Sequence, residues 1–398
     1  MEHALTGIRV IDLSANVAGA YCTKLLADYG ADVIKVERPG TGDEIRQQGP
    51  FADPSRPGET GALHLYLNTN KRSITLNIED VTGRVLLDRL LQDAAVLVYD
   101  GPSGGLDALG LTRSERRQKY PRLITTLVSA FGQDGPYANR PATNLTAFAA
   151  GGQMAVTGDP DREPLKNGGY QADYQVGLNA FTATLAGVWA EGQDGEGDEV
   201  DISAMECMAS TLELMLNTYS YLKTDFWGGR RGNIMSAAIG IYPCADGYLG
   251  VHAMPRNWPA LARLVDAEWL IEDERFHDQA SRLQHEDELR AIFYGWAADK
   301  KKREVYARAG EMRAPVAYVH DMEDLVQSPQ LTARSYLQSV THPVAGTLTY
   351  PGPPIRMSET PWRAGRAPLL GEHTVEVLCG EIGLGAEDIE ILRGQGVI

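Results

Sequence analysis

Asp173 stands out among the residues that could do chemistry. It follows the turn-prone run Gly168-Gly169-Tyr170-Gln171-Ala172 and opens an apolar-periodic stretch that reaches Trp189. Val176, Ala180, Phe181, Thr184, Leu185, Val188 and Trp189 recur at three- and four-residue steps, so the spacing predicts a helix with one buried face. Asp173 then falls in the first helical turn, where unpaired N–H groups and the helix dipole favour negative charge. The plain reading at this point is a carboxylate that caps the helix, unless the rest of the chain says otherwise. Other chemistries have less support. Cys22, Cys207, Cys244 and Cys379 lie far apart with no C-x-x-C spacing, which argues against a disulfide framework or a zinc site. The eight histidines show no H-x-x-x-H spacing, so no metal is expected. After Leu13 the chain reads Ser14-Ala15-Asn16-Val17-Ala18-Gly19-Ala20, without the G-x-G-x-x-G of a dinucleotide site.

Composition narrows the class. A chain of 398 residues has material for two or three domains, and 43% hydrophobic with 23% charged residues is ordinary for a soluble globular protein. A formal charge of −16 argues against a nucleic-acid partner, whose footprint is a basic patch. An anionic small ligand stays compatible where Arg, Lys and backbone N–H groups gather. Met1-Glu2-His3-Ala4-Leu5 shows neither a basic n-region nor an apolar h-region. No apolar run approaches the roughly 20 residues of a membrane span. The expectation is a cytoplasmic protein with no membrane partner.

The elements that must position Asp173 follow from periodicity. Strand Ile8–Leu13, helix Ala18–Tyr29 stopped by Gly30, and strand Asp32–Glu37 make a βαβ unit, which calls for parallel pairing. Strand 71–78, helix 83–91, strand 95–98, helix 113–119 and strand 123–128 continue the alternation. The fold class expected is therefore α/β, with a Rossmann-like large domain. A short helix is expected over 143–150, and the helix of Asp173 is expected to end before Gly192. Glu199–Ile202 reads as a strand and Ala204–Leu222 as one helical stretch. The composition shifts at Gly228–Asn233, a domain boundary, and Ile239–Val251 reads as a hairpin closed at Asp246-Gly247. Residues 258–309 read as helical, 343–354 as extended, and 372–398 as two short helices. Lys35, alternating with Glu37, reads as a rim charge.

The chain also resembles the class III CoA-transferases, the family of formyl-CoA and carnitine CoA-transferases and of α-methylacyl-CoA racemase. The likeness rests on Leu5–Leu13, Val17-Ala18-Gly19, Leu25–Pro39, Gly42–Arg46, Asn70–Ile74, Phe131–Tyr137, Gly247-Tyr248 and Arg366–Thr374, in that order. It implies an acyl-CoA:carboxylate CoA-transferase in which Asp173 matches the nucleophile. It implies CoA as a thioester substrate with no permanently bound cofactor, contacted near Val17, Ala18, Arg38, Leu76, Phe131 and Gly132. A guanidinium at Arg38 suits phosphate oxygens. A large domain of 1–225, completed by the return segment 326–398, and a smaller α+β domain over 226–325 are expected, in an interlinked, ring-shaped homodimer.

Departures from the family pattern are visible. Asp100-Gly101-Pro102-Ser103-Gly104-Gly105 replaces an Asn-Phe-x-Pro-Gly run, Ala108 an arginine, and Glu79 a lysine. Ile234–Ala238 stands where a glycine-rich lid is found. In the racemase branch a Gly-His-Asp segment supplies a base; here Ala142-Thr143-Asn144-Leu145 stands there, and a threonine hydroxyl is no base near neutral pH. Transferase therefore ranks above racemase, and a CoA-binding protein without turnover is the alternative outside enzymes.

Overall fold

Six short segments carry Val, Ile and Leu through their middles: β1 (Arg9–Asp12), β2 (Asp32–Glu37), β3 (Arg72–Thr75), β4 (Val96–Tyr99), β5 (Ile124–Ser129) and β6 (Glu199–Ser203). They pair in parallel in the order β3-β2-β1-β4-β5-β6, with Val10 opposite both Val33 and Val96. Val10, Ile11, Val33, Ile34, Val96 and Leu97 are all buried, as strands covered on both faces require. The computed structural model of the chain describes residues 3–159, 161–223 and 237–398.

Helices cover both faces of the sheet. On one face α1 (Val17–Asp28) and α4 (Gln171–Asp194) pack Cys22, Leu25, Leu26, Val176, Ala180 and Phe181 against Val10, Val33 and Val96. On the other, α2 (Val81–Gln92) and the helices Thr374–Gly380 and Ala386–Gly394 bring Leu86, Leu90, Val377 and Leu392 onto Ile11, Ile34 and Ile74. The strand order reverses direction between β1 and β4. At such a switch the loops leaving neighbouring strands diverge and open a crevice beyond the carboxyl ends. A short helix, α3 (Asn144–Ala150), lies between β5 and α4 in sequence.

Contact density divides the chain into two compact units: Met1–Met154 with Lys166–Glu213 and Ala333–Ile398, and Ala155–Leu165 with Leu214–Thr332. The first also holds the antiparallel hairpin β10 (Leu337–His342) and β11 (Gly346–Pro351), of which β11 falls within the stretch expected to be extended. The second is built on an antiparallel sheet of β7 (Gly240–Cys244), β8 (Gly247–Val251) and β9 (Val316–Tyr318). Its core gathers Leu249, Val251, Leu261, Leu289 and Phe293.

Two sequence expectations are corrected. Helix α4 does not end before Gly192; it runs to Asp194 and stops at Gly195, whose φ of 76° is left-handed and suits glycine. The stretch 204–222 is not one helix but Ala204–Ala209, a 3₁₀ turn Ser210–Leu212 and Glu213–Leu222. The boundary at Gly228–Asn233, and Ile234-Met235-Ser236 of the lid position, lie outside the described residues. Among the described residues no helix is long and apolar enough to cross a membrane.

Candidate active site

A cleft of about 630 Å³ opens at the switch point, a volume suited to a small-molecule site. Asn16 from the loop after β1, Val17 and Ala18 from the first turn of α1, Asp100–Ser103 after β4, Val128–Ala130 at the end of β5 and Ala204 after β6 form its floor. Asn144, Tyr170, Asp173 and Val176 close it from α3 and the start of α4. The approach of α4 to α1 needs a glycine: a Cβ on Gly177 would stand 2.5 Å from the Ala18 carbonyl oxygen. That contact sets Asp173, one turn earlier, beside Val17 and Ala18.

Asp173 is the third residue of α4, yet it does not cap it. Among the described residues its carboxylate accepts no helix N–H; Oδ2 accepts instead from Asn144 Nδ2 at 2.8 Å. Burial pushes its pKa up from the ordinary aspartate value, opposed by the Asn144 hydrogen bond and by Lys166. Lys166 itself donates to the carbonyls of Asn167 and Gly169, at 2.8 and 2.6 Å. Tyr170 donates its hydroxyl to Gln48 Oε1 at 3.2 Å across the cleft wall.

Asp100, buried on the floor, takes the N-terminus of α1. Its carboxylate accepts the N–H groups of Ala15, Asn16 and Gly19 at 2.7, 2.9 and 3.1 Å. Gly19 makes room, since a Cβ there would lie 2.6 Å from Asp100 Oδ2. Burial raises Asp100 to about 7, with the backbone donors and Lys35 pulling the other way. The dipole end that could hold a ligand anion is thus already held by the protein. Gly101-Pro102-Ser103-Gly104-Gly105 has the G-x-S-x-G spacing of a nucleophile elbow, a pattern easily passed over in the sequence. Ser103 Oγ, however, donates to the Gln133 carbonyl at 2.9 Å, and no histidine lines the cleft among the described residues.

The residues singled out from sequence divide into two groups. Val17, Ala18 and Asp173 share the cleft. Arg38 is 75% exposed and faces Glu79 at 3.6 Å. Leu76 is buried in the core beside Ile74 and Leu86, which leaves its backbone as the part that could reach a ligand. Phe131 packs edge-on against Tyr137 with ring centroids 5.8 Å apart, and Gly132 N donates to Ser129 Oγ at 2.9 Å. The Arg140 guanidinium lies 4.1 Å from the Tyr137 ring, lines the cleft, and makes no ion pair among the described residues. Neither Arg140 nor the Asn144–Asp173 contact was found from sequence. An arginine three residues after Tyr137 in an acidic chain was the one available signal for the first, and its lack of an ion pair shows only in the structure.

Lys35 is not a rim charge. It is wholly buried, donates to the Ser14 carbonyl at 2.8 Å, and pairs with Asp43 and, at 3.9 Å, with Asp12. Alternation had identified its face of the sheet but not that α1 and its flanking loops cover that face. Lys71 is buried in the same network, donating to Asp12 at 3.0 Å, Thr23 at 2.7 Å and Asn68 at 2.9 Å.

Comparison with known proteins decides the family. The model for CoA-transferase family III matches residues 5–374. The chain belongs to CoA-transferase family III. The transferase is 31% identical to a formyl-CoA:oxalate CoA-transferase of Streptomyces avermitilis, over the whole of both chains. It is 33% identical to the BbsE subunit of a succinyl-CoA:(R)-benzylsuccinate CoA-transferase from Thauera aromatica, covering 100% of this chain and 99% of that one. A CAIB/BAIF family protein from Brucella suis superposes with a TM-score of 0.86 at 30% identity, over 96% of this chain and 100% of the other.

Proposed function

We propose that this transferase moves CoA from an acyl-CoA to an acceptor carboxylic acid, storing first the acyl group and then the thiolate on Asp173. The observation that carries the reading is the Asp173 carboxylate, held by a neutral side-chain donor, in a cleft at the sheet's switch point. An ionised Asp173 attacks the thioester carbonyl carbon, the C–S bond breaks, and a mixed anhydride and CoA thiolate result. The thiolate returns to the anhydride, releases the donor acid and leaves an aspartyl-CoA thioester. The acceptor carboxylate opens that thioester, and the thiolate then takes the new acyl group, restoring Asp173. CoA is substrate throughout and no resident cofactor is part of the scheme. The cleft between Val17-Ala18 and Asp173 suits the thioester end, and the unpaired Arg140 with Arg38 suits the phosphates of an anionic substrate.

Racemisation has no observation in its favour. Thr143 caps α3, its hydroxyl accepting from the Thr146 N–H, and offers no second base. The interlinked, ring-shaped homodimer that the family likeness implies belongs to the same proposal, as does a cytoplasmic location, which suits four unpaired cysteines. Such a dimer should persist on dilution to nanomolar protein. The donor and acceptor acids are found by assaying a panel of thioesters, formyl-CoA and succinyl-CoA among them, against free acids. With the thioester used fastest, hydroxylamine should modify the peptide containing Asp173. Near-normal transfer by Asp173→Ala would falsify the mechanism.

A further inference from the structure

The carboxyl group of a nucleophilic aspartate in such a scheme plays two parts, and the structure treats its two oxygens differently. Oδ2 accepts from Asn144 Nδ2 at 2.8 Å, whereas Oδ1 has no donor among the described residues. Asn144 is the first residue of α3, whose start is fixed by the reciprocal Thr143–Thr146 cap. Its side chain is therefore held on a set backbone and reaches out of the helix into the cleft that it shares with Asp173. A carboxylate only accepts, so the carboxamide must present its N–H to Oδ2.

We propose that Asn144 is the oxyanion donor for the steps in which the Cγ of Asp173 is the electrophile. The inference rests on the reaction proposed above. Oδ1, free of donors, supplies the lone pair that attacks the thioester carbonyl carbon. Once the C–S bond has broken, Oδ1 bridges the anhydride and Cγ=Oδ2 is its enzyme-side carbonyl. CoA thiolate then adds to Cγ and the carbonyl pair moves onto Oδ2, which already faces Asn144. A donor 2.7–3.1 Å from the developing oxyanion has the geometry such stabilisation requires. The pair returns, the Cγ–Oδ1 bond breaks, and the donor acid leaves as a carboxylate carrying Oδ1. Cγ keeps Oδ2 and the sulfur. The same N–H serves when an acceptor carboxylate oxygen adds to Cγ and the Cγ–S bond breaks. In the opening attack the charge builds on the substrate's acyl oxygen instead, so Asn144 has no oxyanion to stabilise there.

This asymmetry gives the test. Full-length wild type, Asn144→Ala and the near-isosteric Asn144→Leu are mixed with succinyl-CoA, or with the panel thioester that wild type uses fastest. The reactions are acid-quenched within milliseconds, and the adduct on the Asp173 peptide is weighed. Wild type should carry CoA as the thioester. Both variants should keep thermal stability near wild type and lose about 10²–10³-fold in kcat, as on loss of an oxyanion donor, with a KM no higher than wild type because the slowed step follows acyl transfer. Their trapped adduct should shift from CoA to the acyl group. Unchanged kcat in a folded variant overturns the inference, and so does a fall in kcat with an unchanged ratio of CoA to acyl adduct, because that marks a merely structural role. Should alanine unfold the protein, the leucine variant carries the measurement. Turnover by wild type with neither adduct on Asp173 defeats the proposed reaction itself, whereas adducts that form normally in every variant defeat only the role of Asn144.

Discussion

The carboxyl ends of β1–β3 and the cleft at β1 and β4 lie on one edge of one sheet, and they bury charge in opposite ways. At β1–β3, Asp12, Glu37 and Asp43 meet Lys35, Arg46 and Lys71, each with at least one partner of opposite sign. Burial alone would raise Asp12 and Glu37. Lys35 and Lys71 nonetheless hold Asp12 well below the carboxylate range, and Arg46 brings Glu37 to about 2. Asp43 is the exception: burial lifts it to about 6, with Lys35 pulling it down and the nearby Glu37 adding to the rise. In the cleft, Asp173 accepts only from the neutral Asn144 carboxamide, and Asp100 only from backbone N–H groups and the Asn16 carboxamide; burial raises both. Paired buried charges serve as framework, since removing one partner strands the other. A carboxylate left without a cation keeps its lone pairs for chemistry.

The largest effect expected from breaking this contrast is on catalysis. Asp173→Asn and Asp173→Ala should fold and bind CoA but lose transfer by about 10⁴-fold or more, the scale of losing a nucleophile. Steady-state kinetics with the panel substrates, alongside CoA binding by calorimetry, measures both. A loss of folding rather than turnover would place Asp173 with the framework.

Next comes the framework itself. Lys71→Met leaves Asp12 without its 3.0 Å partner in a fully buried site. It should cost about 3–5 kcal/mol of stability in urea unfolding. The double variant Asp12→Asn with Lys71→Met should recover part of this, because the stranded charge is gone. A single variant within 1 kcal/mol of wild type would show that the network is not the scaffold argued here.

Smaller still is the expected effect on substrate affinity. Arg140→Ala, which removes an unpaired cation lining the cleft, should weaken CoA binding by about 1.5–3 kcal/mol, the worth of a hydrogen bond to a charged group. Arg38→Ala should cost no more than that, since Arg38 already faces Glu79. Glu79→Gln would then tighten binding through Arg38. Equal affinity in all three variants would remove both arginines from the phosphate site.

Much of the sheet could be read from the chain because its signals are local. Strand 32–37 and helix 113–119 end where periodicity placed them, and the expected hairpin forms as β7–β8, although its turn is Ala245-Asp246 and Gly247 already belongs to β8. Lys35 was misplaced because alternation reports a side chain's direction and not the depth of what covers it. The end of α4 was misplaced because Gly192 is tolerated within a helix, whereas Gly195 takes the left-handed angle that stops it. Asp173 could be singled out through its turn and helix, and the chemistry proposed for it through family likeness. Its partner Asn144, 29 residues earlier, could not. The α1–α4 approach at Gly177 and the reach of α3 bring those residues together, and neither has a local signature. Asp100 was legible only as a departure, because its role comes from reaching across to the N-terminus of α1.

The smallest expected effect concerns what an unpaired carboxylate does to stability. Burial holds the pKa of Asp173 above its ordinary value, against the pull of Asn144 and Lys166. Between the unfolded and folded pKa values the native state binds more proton than the unfolded chain, so stability falls as pH rises through that window. Above it the ionised Asp173 carries the whole cost; below the unfolded value of about 3.9 the cost vanishes. Asp173→Asn removes the ionisation and keeps an oxygen for Asn144 to donate to. The variant should therefore melt higher than wild type at pH 7, by on the order of 1–2 °C, with the difference closing towards pH 4. For activity the sign is opposite, because in the proposed mechanism the ionised form is the nucleophile: kcat/KM should fall as pH drops through the folded pKa, at a pH above that of an ordinary aspartate. Calorimetric scans of both proteins from pH 4 to 8 test the first half, and a pH–rate profile tests the second. A variant that melts lower than wild type at pH 7 would mean that Asp173 is paired after all, and the contrast between the two regions would lose its basis.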